Sequence, residues 1–184
     1  MARPFIEEGL PIYIDKSIAT TMREAEEIYA LERSPGHIFT CSALAYSDGL
    51  RIGDIGELRY VSAVVIKGWK KYAIHVVEPA LRLFGWRAPI VSHSVVSNAT
   101  NRIASLSFGG GMTATFTSFY GAQCGFRIQA FGTKGVVDVD FGGTIFMFRN
   151  ALRHVVEIVR GERANESRAI TMKAMEIVEM GNFG

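Results

Sequence analysis

The sequence predicts an α+β fold, in which a single βαβ unit precedes a large, mainly antiparallel sheet with helices packed on one face. Two apolar, β-forming segments at residues 10–15 and 37–43 flank a helical segment, and this order is typical of a βαβ unit with a parallel strand pair. Residues 90–143 alternate in the manner of strands joined by glycine-rich turns, and residues 150–159 and 167–180 show helical periodicity on either side of a loop at residues 161–165. Strands followed by helices favour helices collected on one side of the sheet.

The first helix has clear start and stop signals. Thr21 and Glu24 have the spacing of a capping box, in which a hydroxyl and a carboxylate satisfy the first free amides of a helix. We expect the helix to run to about residue 32 and to end at residues 34–36, Ser-Pro-Gly. The sequence changes character after Tyr46, and we divide the chain into residues 1–46, a βαβ segment, and residues 47–184, the α+β domain.

A strand at residues 57–67 leads into a helix at residues 72–84. Pro79 lies inside this helix and cannot donate to the carbonyl of His75. The helix therefore either kinks at Pro79 or begins close to it.

Two hairpins are predicted in the sheet, at residues 104–119 and 125–141. Gly109, Gly110 and Gly111 form the first turn, and the flanking residues alternate between two chemically different faces. An open sheet needs its second face covered or polar. Candidates for an apolar patch there are Phe116, Phe126 and Phe131, so we expect a homo-oligomer, a dimer or tetramer, joined through the open sheet face.

Composition excludes several classes of function. Apolar residues make up 48% of the chain and charged residues 21%, with a net charge of +2 and no basic block, so nucleic acid is not expected as a partner. No apolar stretch approaches the length of a membrane span, so we expect a soluble, cytoplasmic protein. Cys41 and Cys124 belong to no metal-binding pattern and are interpreted as reduced cysteines in or near the core, with a disulfide or a nucleophile as the alternatives.

The familiar cofactor motifs are absent from the sequence. It contains no G-x-G-x-x-G, P-loop, HExxH or G-x-S-x-G pattern. The glycines at 109–111 lie between two strands, where a hairpin is favoured over a phosphate site. The four histidines are scattered, so no metal site is predicted.

Asp15 and Lys16 directly follow the first strand. In an open α/β sheet, residues just past the carboxyl end of a strand border the ligand crevice. Lys16 could there donate to a substrate hydroxyl or a cofactor carboxamide, and the alternative is a solvated lysine.

His75 forms a helical stripe with Glu78 and Arg82. Glu78 could orient the imidazole, and a histidine that titrates near neutrality suits proton transfer to or from a substrate hydroxyl. The alternative is a packed or surface histidine, which is our interpretation of His93 and His154.

Four segments together resemble the C-terminal, substrate-side part of the Gfo/Idh/MocA-type NAD(P)-dependent oxidoreductases. They are GLPIYIDKSIATTMREAEEI, YAIHVVEPALRLFG, FGTKGVVDVD and NALRHVVEIVRGE. The resemblance implies that residues 1–46 are a remnant of the dinucleotide-binding domain and that residues 47–184 are the substrate and oligomerisation domain. It also implies that Lys16 contacts nicotinamide and substrate, and that His75 is the acid/base. NAD or NADP is the implied cofactor of a full-length enzyme.

The chain departs from the family pattern at three site positions. Asp15 replaces a glutamate, Ser17 replaces a proline, and Lys71 stands where an aspartate is common. Without the glycine-rich turn, we expect this chain not to bind the cofactor tightly and to be inactive by itself.

Two functions are therefore compared. The first is the substrate-side portion of an oxidoreductase for a sugar, polyol or related hydroxy compound, with catalytic Lys16 and His75 and with Asp15, Lys71 and Glu78 binding or orienting the substrate. The second is a non-catalytic binding or scaffold module that keeps the fold and oligomer interface. Under the first, we expect Lys16 and His75 to face one crevice, within about 10 Å of each other. Glu78 should bond His75 directly or through one water, and the pKa of His75 should not be strongly shifted.

Overall fold

The computed structural model describes residues 3–34, 36–121, 123 and 125–182. Its first part is the predicted βαβ unit, preceded by a short helix, and comprises α1 (Arg3–Glu7), β1 (Ile12–Asp15), α2 (Met22–Tyr29) and β2 (Ile38–Cys41). β1 and β2 pair in parallel, as predicted. The predicted capping box also forms, with the Glu24 amide donating to the Thr21 hydroxyl at 3.2 Å. The helix ends at Tyr29, earlier than expected, and the predicted stop includes Pro35, which lies outside the described residues.

The second sheet has six strands in the order β4-β5-β6-β3-β7-β8. The strands are β3 (Leu58–Val65), β4 (Ile90–Ser97), β5 (Asn101–Phe108), β6 (Thr113–Phe119), β7 (Arg127–Gly132) and β8 (Val136–Asp138). All neighbours are antiparallel except β3 and β6, so the predicted mainly antiparallel sheet is confirmed. The two predicted hairpins are β5–β6 and β7–β8.

Two short 3-10 helices lie between β2 and β3, at Ala43–Tyr46 and Asp48–Leu50, and four further α-helices complete the described structure. They are α3 (Trp69–Tyr72), α4 (Ile74–Phe84), α5 (Thr144–Val159) and α6 (Ser167–Met180). Of the two possibilities for Pro79, a helix start near the proline is wrong, because α4 begins at Ile74 and continues through it. The amides of Val76 and Val77 bond the carbonyl of Ala73, so the first turn forms before the proline is reached. α5 begins at Thr144, six residues before the predicted start.

The main core lies between one face of the six-stranded sheet and helices α4 and α6. The alternating residues Val61, Ala63 and Val65 of β3 are fully buried there, and so is Phe116 of β6. The expectation that Phe116 lies on the open face is therefore wrong. It shares its face with Ala114, and strand periodicity turns both residues toward the helices, where burial of such a ring contributes about 1.5–3 kcal/mol.

The opposite face of the sheet carries mostly hydroxyl side chains with a few apolar ones. Tyr60 and Phe131 stack there with ring centroids 5.2 Å apart, so Phe131 lies on the open face as predicted. Ile103 of β5 is 39% exposed and pairs with Val96 of β4. Phe126 is not part of this face, because it precedes β7 and packs beside His75 instead.

Helix α6 ties the two parts of the chain together. It packs on α4, and it also contacts α2 and β2 of the βαβ unit. Asn165, which precedes it, donates to the carbonyl oxygens of Gly36 and Ile38 at 2.7 and 2.9 Å. The domain boundary at residue 46 stays a prediction.

Among the described residues, no helix has the length and apolar character needed to cross a bilayer.

Candidate active site

A cavity of about 330 Å³ opens where the βαβ unit meets the second sheet. Three of its walls come from residues at the ends of secondary-structure elements: the carboxyl end of β1, the turn after β2 and the first turn of α4. The start of α5 supplies the fourth wall. The side chains that matter for chemistry are Asp15, Lys16 and His75, and the apolar lining includes Phe126, Phe141, Met147 and Phe148.

Lys16 reaches the cavity because it directly follows β1. Its ammonium lies 5.5 Å from the centroid of the Tyr72 ring, at the border of the cavity. The peptide bond from Lys16 to Ser17 is cis. Asp15 lies opposite Cys41 of β2 in the strand register, and its side chain is exposed at the cavity mouth. The carboxyl end of this strand thus borders a crevice, as the position of Lys16 in the sequence predicts.

His75 is held in the first turn of α4 by a serine and two aromatic rings. Its Nδ1 lies 2.9 Å from the hydroxyl oxygen of Ser42. The imidazole centroid is 5.1 Å from that of Phe126 and 6.0 Å from that of Tyr72. With Nδ1 engaged by Ser42, Nε2 is the ring nitrogen that remains for a ligand.

The pKa of His75 is lowered to about 4, which corrects the expectation of a weakly shifted value. Burial of the ring is the main cause, since it disfavours the charged form. The positive charges of Lys16 and Lys67 lower the pKa further. His75 is therefore a neutral imidazole at pH 7, and it is a weaker base than an ordinary histidine.

Glu78 lies behind Ser42 rather than against His75. The Ser42 amide donates to Glu78 Oε2 at 2.6 Å, and the Arg82 guanidinium lies 3.9 Å from Oε1. Burial raises the pKa of Glu78 to about 7, against the opposing effects of Arg82 and the Ser42 amide. The contact that orients His75 thus comes from Ser42, and Glu78 acts on the imidazole only through that residue.

Ser42 is the site residue that the sequence reasoning missed. It follows β2 directly, just as Asp15 and Lys16 end and follow β1. Because β1 and β2 are parallel, their carboxyl ends meet at one edge, and this position was the available signal.

Lys71 is not in the cavity with His75. It borders a neighbouring cavity, and its ammonium lies 5.8 Å from the Tyr72 ring centroid. The structure therefore brings Asp15, Lys16 and His75 together in one cavity. Ser42 separates Glu78 from His75, and Lys71 lies beyond Tyr72.

The remaining histidines and Cys41 lie outside this cavity. His93 is exposed on β4, while the His154 ring packs 5.0 Å from that of Tyr46. Cys41 is buried and free, and burial raises the pKa of its thiol. Cys124 lies outside the described residues. Within the part of the chain that the structure describes, no group of side chains could hold a metal ion.

Lys16 offers one donor for a nicotinamide cofactor, whereas the start of α2 is a poor site for its pyrophosphate. Lys16 could donate to a nicotinamide carboxamide from the cavity edge. A pyrophosphate needs free amides at a helix N-terminus, and α2 is the helix that follows β1. There, the Glu24 carboxylate accepts from the Thr20 amide at 3.0 Å and from the Thr21 amide, and the Thr21 hydroxyl takes the Glu24 amide. The Glu24 amide is already engaged and the Glu24 carboxylate adds negative charge, so this helix start is a poor site for a pyrophosphate.

No family model matches the sequence, and no curated protein matches it. Solved structures do match. A myo-inositol 2-dehydrogenase from Lactobacillus plantarum is similar over 98% of this chain and 73% of its own, at a TM-score of 0.78 and 14% identity. An oxidoreductase from Agrobacterium radiobacter, solved with NAD⁺, L-tartaric acid and magnesium, is similar over 98% of this chain and 73% of its own, at a TM-score of 0.75 and 13% identity. An oxidoreductase from Thermotoga maritima is similar over 96% of this chain and 71% of its own, at a TM-score of 0.75 and 14% identity.

The chain has the fold of the C-terminal portion of these oxidoreductases. The resemblance found in the sequence is thereby confirmed for the fold, and so is the predicted α+β class. At identities of 12–14% the likeness concerns architecture, so the activity and the roles of individual residues are argued from the cavity itself.

Proposed function

We propose that this chain is the substrate-side portion of an NAD(P)-dependent oxidoreductase that acts on a sugar, polyol or related hydroxy compound. The observation that carries the proposal is the shared cavity, in which Lys16 at the end of β1 faces a neutral, serine-anchored His75. A lysine donor and an imidazole base can activate a substrate hydroxyl for oxidation, and the hydride acceptor would be a nicotinamide cofactor. The cytoplasmic location remains a prediction from the sequence.

His75 is the base in this proposal. Its Nε2 accepts the proton of the substrate hydroxyl, while Nδ1 keeps its hydrogen bond to the Ser42 oxygen. This bond holds the ring in one orientation, as the third member of a catalytic group commonly does. Glu78, bonded to the Ser42 amide, keeps the serine in place and is a positioning residue.

Lys16 polarises the substrate oxygen. An ammonium near the hydroxyl stabilises the negative charge that develops as the proton leaves. A bound nicotinamide would supply the acceptor for the hydride lost from the same carbon. Apolar side chains at the cavity wall, Phe126 and Phe141 among them, limit the water around that carbon.

Binding without catalysis is the second candidate function. Lys71 replaces an aspartate that is common in the resembling family, and the start of α2 is a poor site for a pyrophosphate. Oxidation assays of the chain together with a nucleotide-binding part, with NAD and NADP and a panel of polyols and sugars, separate the two. Substrate-dependent formation of reduced cofactor supports the enzyme. Tight polyol binding with no reduced cofactor, in the presence of a nucleotide-binding partner, supports the binding module.

The 184-residue chain is expected not to bind NAD(H) or NADP(H) with useful affinity. Its α2 N-terminus is occupied by the capping box and carries the Glu24 carboxylate, which repels a pyrophosphate. Titration calorimetry with both reduced cofactors measures this. A dissociation constant in the low micromolar range would contradict the prediction.

The chain is expected to form a dimer or larger homo-oligomer through the open face of the six-stranded sheet. Tyr60, Phe131 and Ile103 supply apolar area there, and hydroxyl side chains supply hydrogen bonds. Light scattering of protein at tens of micromolar should show at least twice the single-chain mass.

Two matched variants locate the interface. Ile103→Lys introduces a charge into the open face and should give monomers, because a buried unpaired charge is costly. Val159→Lys changes an α5 residue that is 54% exposed and lies off the sheet, and it should leave the mass unchanged. A native monomer, or dissociation by Val159→Lys alone, would refute the sheet interface.

A further inference from the structure

A second, larger cavity lies beside the candidate active site. Its volume is about 610 Å³, and it is bounded by the β3–α3 connection, the β4–β5 turn and the end of β6. Four basic side chains border it, Lys67, Lys70, Lys71 and Arg102. Asn98, Thr100, Asn101 and Ser118 add neutral hydrogen-bonding groups to its lining.

The positive charge of this cavity is uncompensated. None of its lining residues is acidic, and within the described part of the chain none of the four basic residues forms an ion pair. The whole chain has a net charge of only +2. A concave surface with one sign of charge concentrates counter-ions and attracts ligands of the opposite charge.

A third cavity also carries arginines, but acidic side chains line it as well and pair with some of them. It has a volume of about 560 Å³, and Arg51 and Arg163 line it together with Asp48 and Glu157. Arg51 lies 3.6 Å from Asp48, and Arg163 lies 2.8 Å from Glu157. Among the described residues, Arg51 and Arg163 are thus paired within the chain, although Arg149 and Arg153 of the same cavity are not, whereas none of the four basic side chains of the larger cavity is paired.

The larger cavity, bordered by Lys67, Lys70, Lys71 and Arg102, is called the basic cavity. Tyr72 lies between the basic cavity and the candidate active site. It lines the basic cavity, and its ring is 6.0 Å from that of His75. The ammonium of Lys67 lies 4.7 Å from its centroid, and that of Lys16 lies 5.5 Å away. One molecule could therefore place a hydroxyl carbon between Lys16 and His75 and an anionic group beyond Tyr72.

Tyr120 and Gly68 pack against each other in the lining of the basic cavity. The Tyr120 hydroxyl lies so close to Gly68 that a Cβ there would clash with it. Tyr120 is itself 61% exposed. It offers a ring surface and a hydroxyl at the cavity rim.

We propose that the basic cavity binds a phosphate or diphosphate group of the substrate, so that the hydroxy compound is phosphorylated or nucleotide-linked. The inference rests on the proposed function for the reacting end of the substrate, but the anion site itself does not depend on turnover. Four cations around one cavity match the two or more negative charges of such a group. A neutral polyol would leave them unused.

The test measures anion binding directly, in the whole chain and without turnover. Inorganic pyrophosphate is titrated by calorimetry at low ionic strength into native protein, Lys67→Gln and Lys134→Gln. Lys134→Gln removes the same charge from an exposed ion pair with Asp54, remote from the cavity lining. We expect binding about 10-fold weaker in Lys67→Gln and within about 2-fold of native in Lys134→Gln.

A second measurement distinguishes pyrophosphate bound in the basic cavity from non-specific electrostatic attraction to the protein surface. Lys67 lowers the pKa of His75, so pyrophosphate bound beside Lys67 should raise that pKa, measured by NMR. Glucose 6-phosphate should bind more tightly than glucose and should compete with pyrophosphate. Equal loss of pyrophosphate binding in both variants, or no competition, would overturn the inference.

Competition experiments show whether the bound phosphate belongs to the substrate or to the cofactor, and turnover assays test the proposed function independently. If NAD competes with pyrophosphate while glucose 6-phosphate does not, the cavity serves the cofactor and the inference about the substrate is wrong. If pyrophosphate and glucose 6-phosphate both bind but no hydroxy compound is oxidised with a nucleotide-binding part present, the anion site stands and the oxidoreductase proposal fails. If the protein oxidises neutral polyols but binds neither pyrophosphate nor glucose 6-phosphate, the oxidoreductase proposal stands and the anion site is wrong.

Discussion

His75→Ala is expected to lower kcat for alcohol oxidation about 10²-fold or more, which is typical of a lost acid/base group. The assay is made with the nucleotide-binding part of the enzyme present. The reason is the placement of His75, whose Nδ1 is fixed by Ser42 while the ring lines the cavity that holds Lys16. KM should change much less than kcat, because the base acts mainly in the transition state.

The matched control is His93→Ala. His93 is exposed on β4, so its loss should leave kcat within about 2-fold of native. If both variants lose activity equally, or if His75→Ala keeps native kcat, the acid/base assignment is wrong.

The pH profile gives His75 a second signature. Its folded-state pKa is about 4, so the imidazole is neutral and active as a base above that value. As pH falls through about 4, protonation removes the base and kcat/KM for oxidation should fall. An ordinary histidine would already lose activity on crossing about pH 6.5.

Lys16→Met is expected to lower kcat/KM for oxidation about 10²-fold, the usual cost of one lost donor to a developing oxyanion. Methionine keeps the length and apolar stem of lysine but removes the charge and all donors. The pKa of His75 should rise in this variant, because the positive charge of Lys16 contributes to lowering it. It should stay below its ordinary value, since burial is the larger cause.

Lys173→Met is the control for the loss of a lysine. Lys173 lies on α6 and pairs with Glu176 at 2.9 Å, outside the lining of the cavity that holds Lys16. This variant should keep native kcat/KM and an unchanged pKa of His75. An equal loss in both variants would point to general destabilisation and against a role of Lys16 in the site.

Local patterns in the sequence predicted the elements well. The capping box at Thr21 and Glu24 fixes where α2 starts, and alternation fixes which residues of β5 and β6 share a face. Alternation does not say which face meets the helices. Phe116 was therefore assigned to the wrong side, although its burial with Ala114 follows from the same period.

Lys16 and His75 could be singled out from the sequence, although their roles stay predictions. Lys16 directly follows a predicted strand, and His75 lies on a helical stripe with Glu78 and Arg82. Ser42 could not be linked to His75, since the contact joins residues 33 apart and depends on how α4 packs beside β2. The low pKa of His75 also depends on this packing, because burial and the approach of Lys67 arise only in the folded chain.

The most direct test of the account is an NMR titration of the His75 ring in native protein and in Lys16→Met. We predict a pKa near 4 in the native chain and a higher value in the variant, as two groups sharing one cavity require. Lys173→Met should match the native curve. A native pKa near its ordinary value of 6.5, or a curve that Lys16→Met leaves unmoved, would contradict the claim that Lys16 and His75 act together on one substrate.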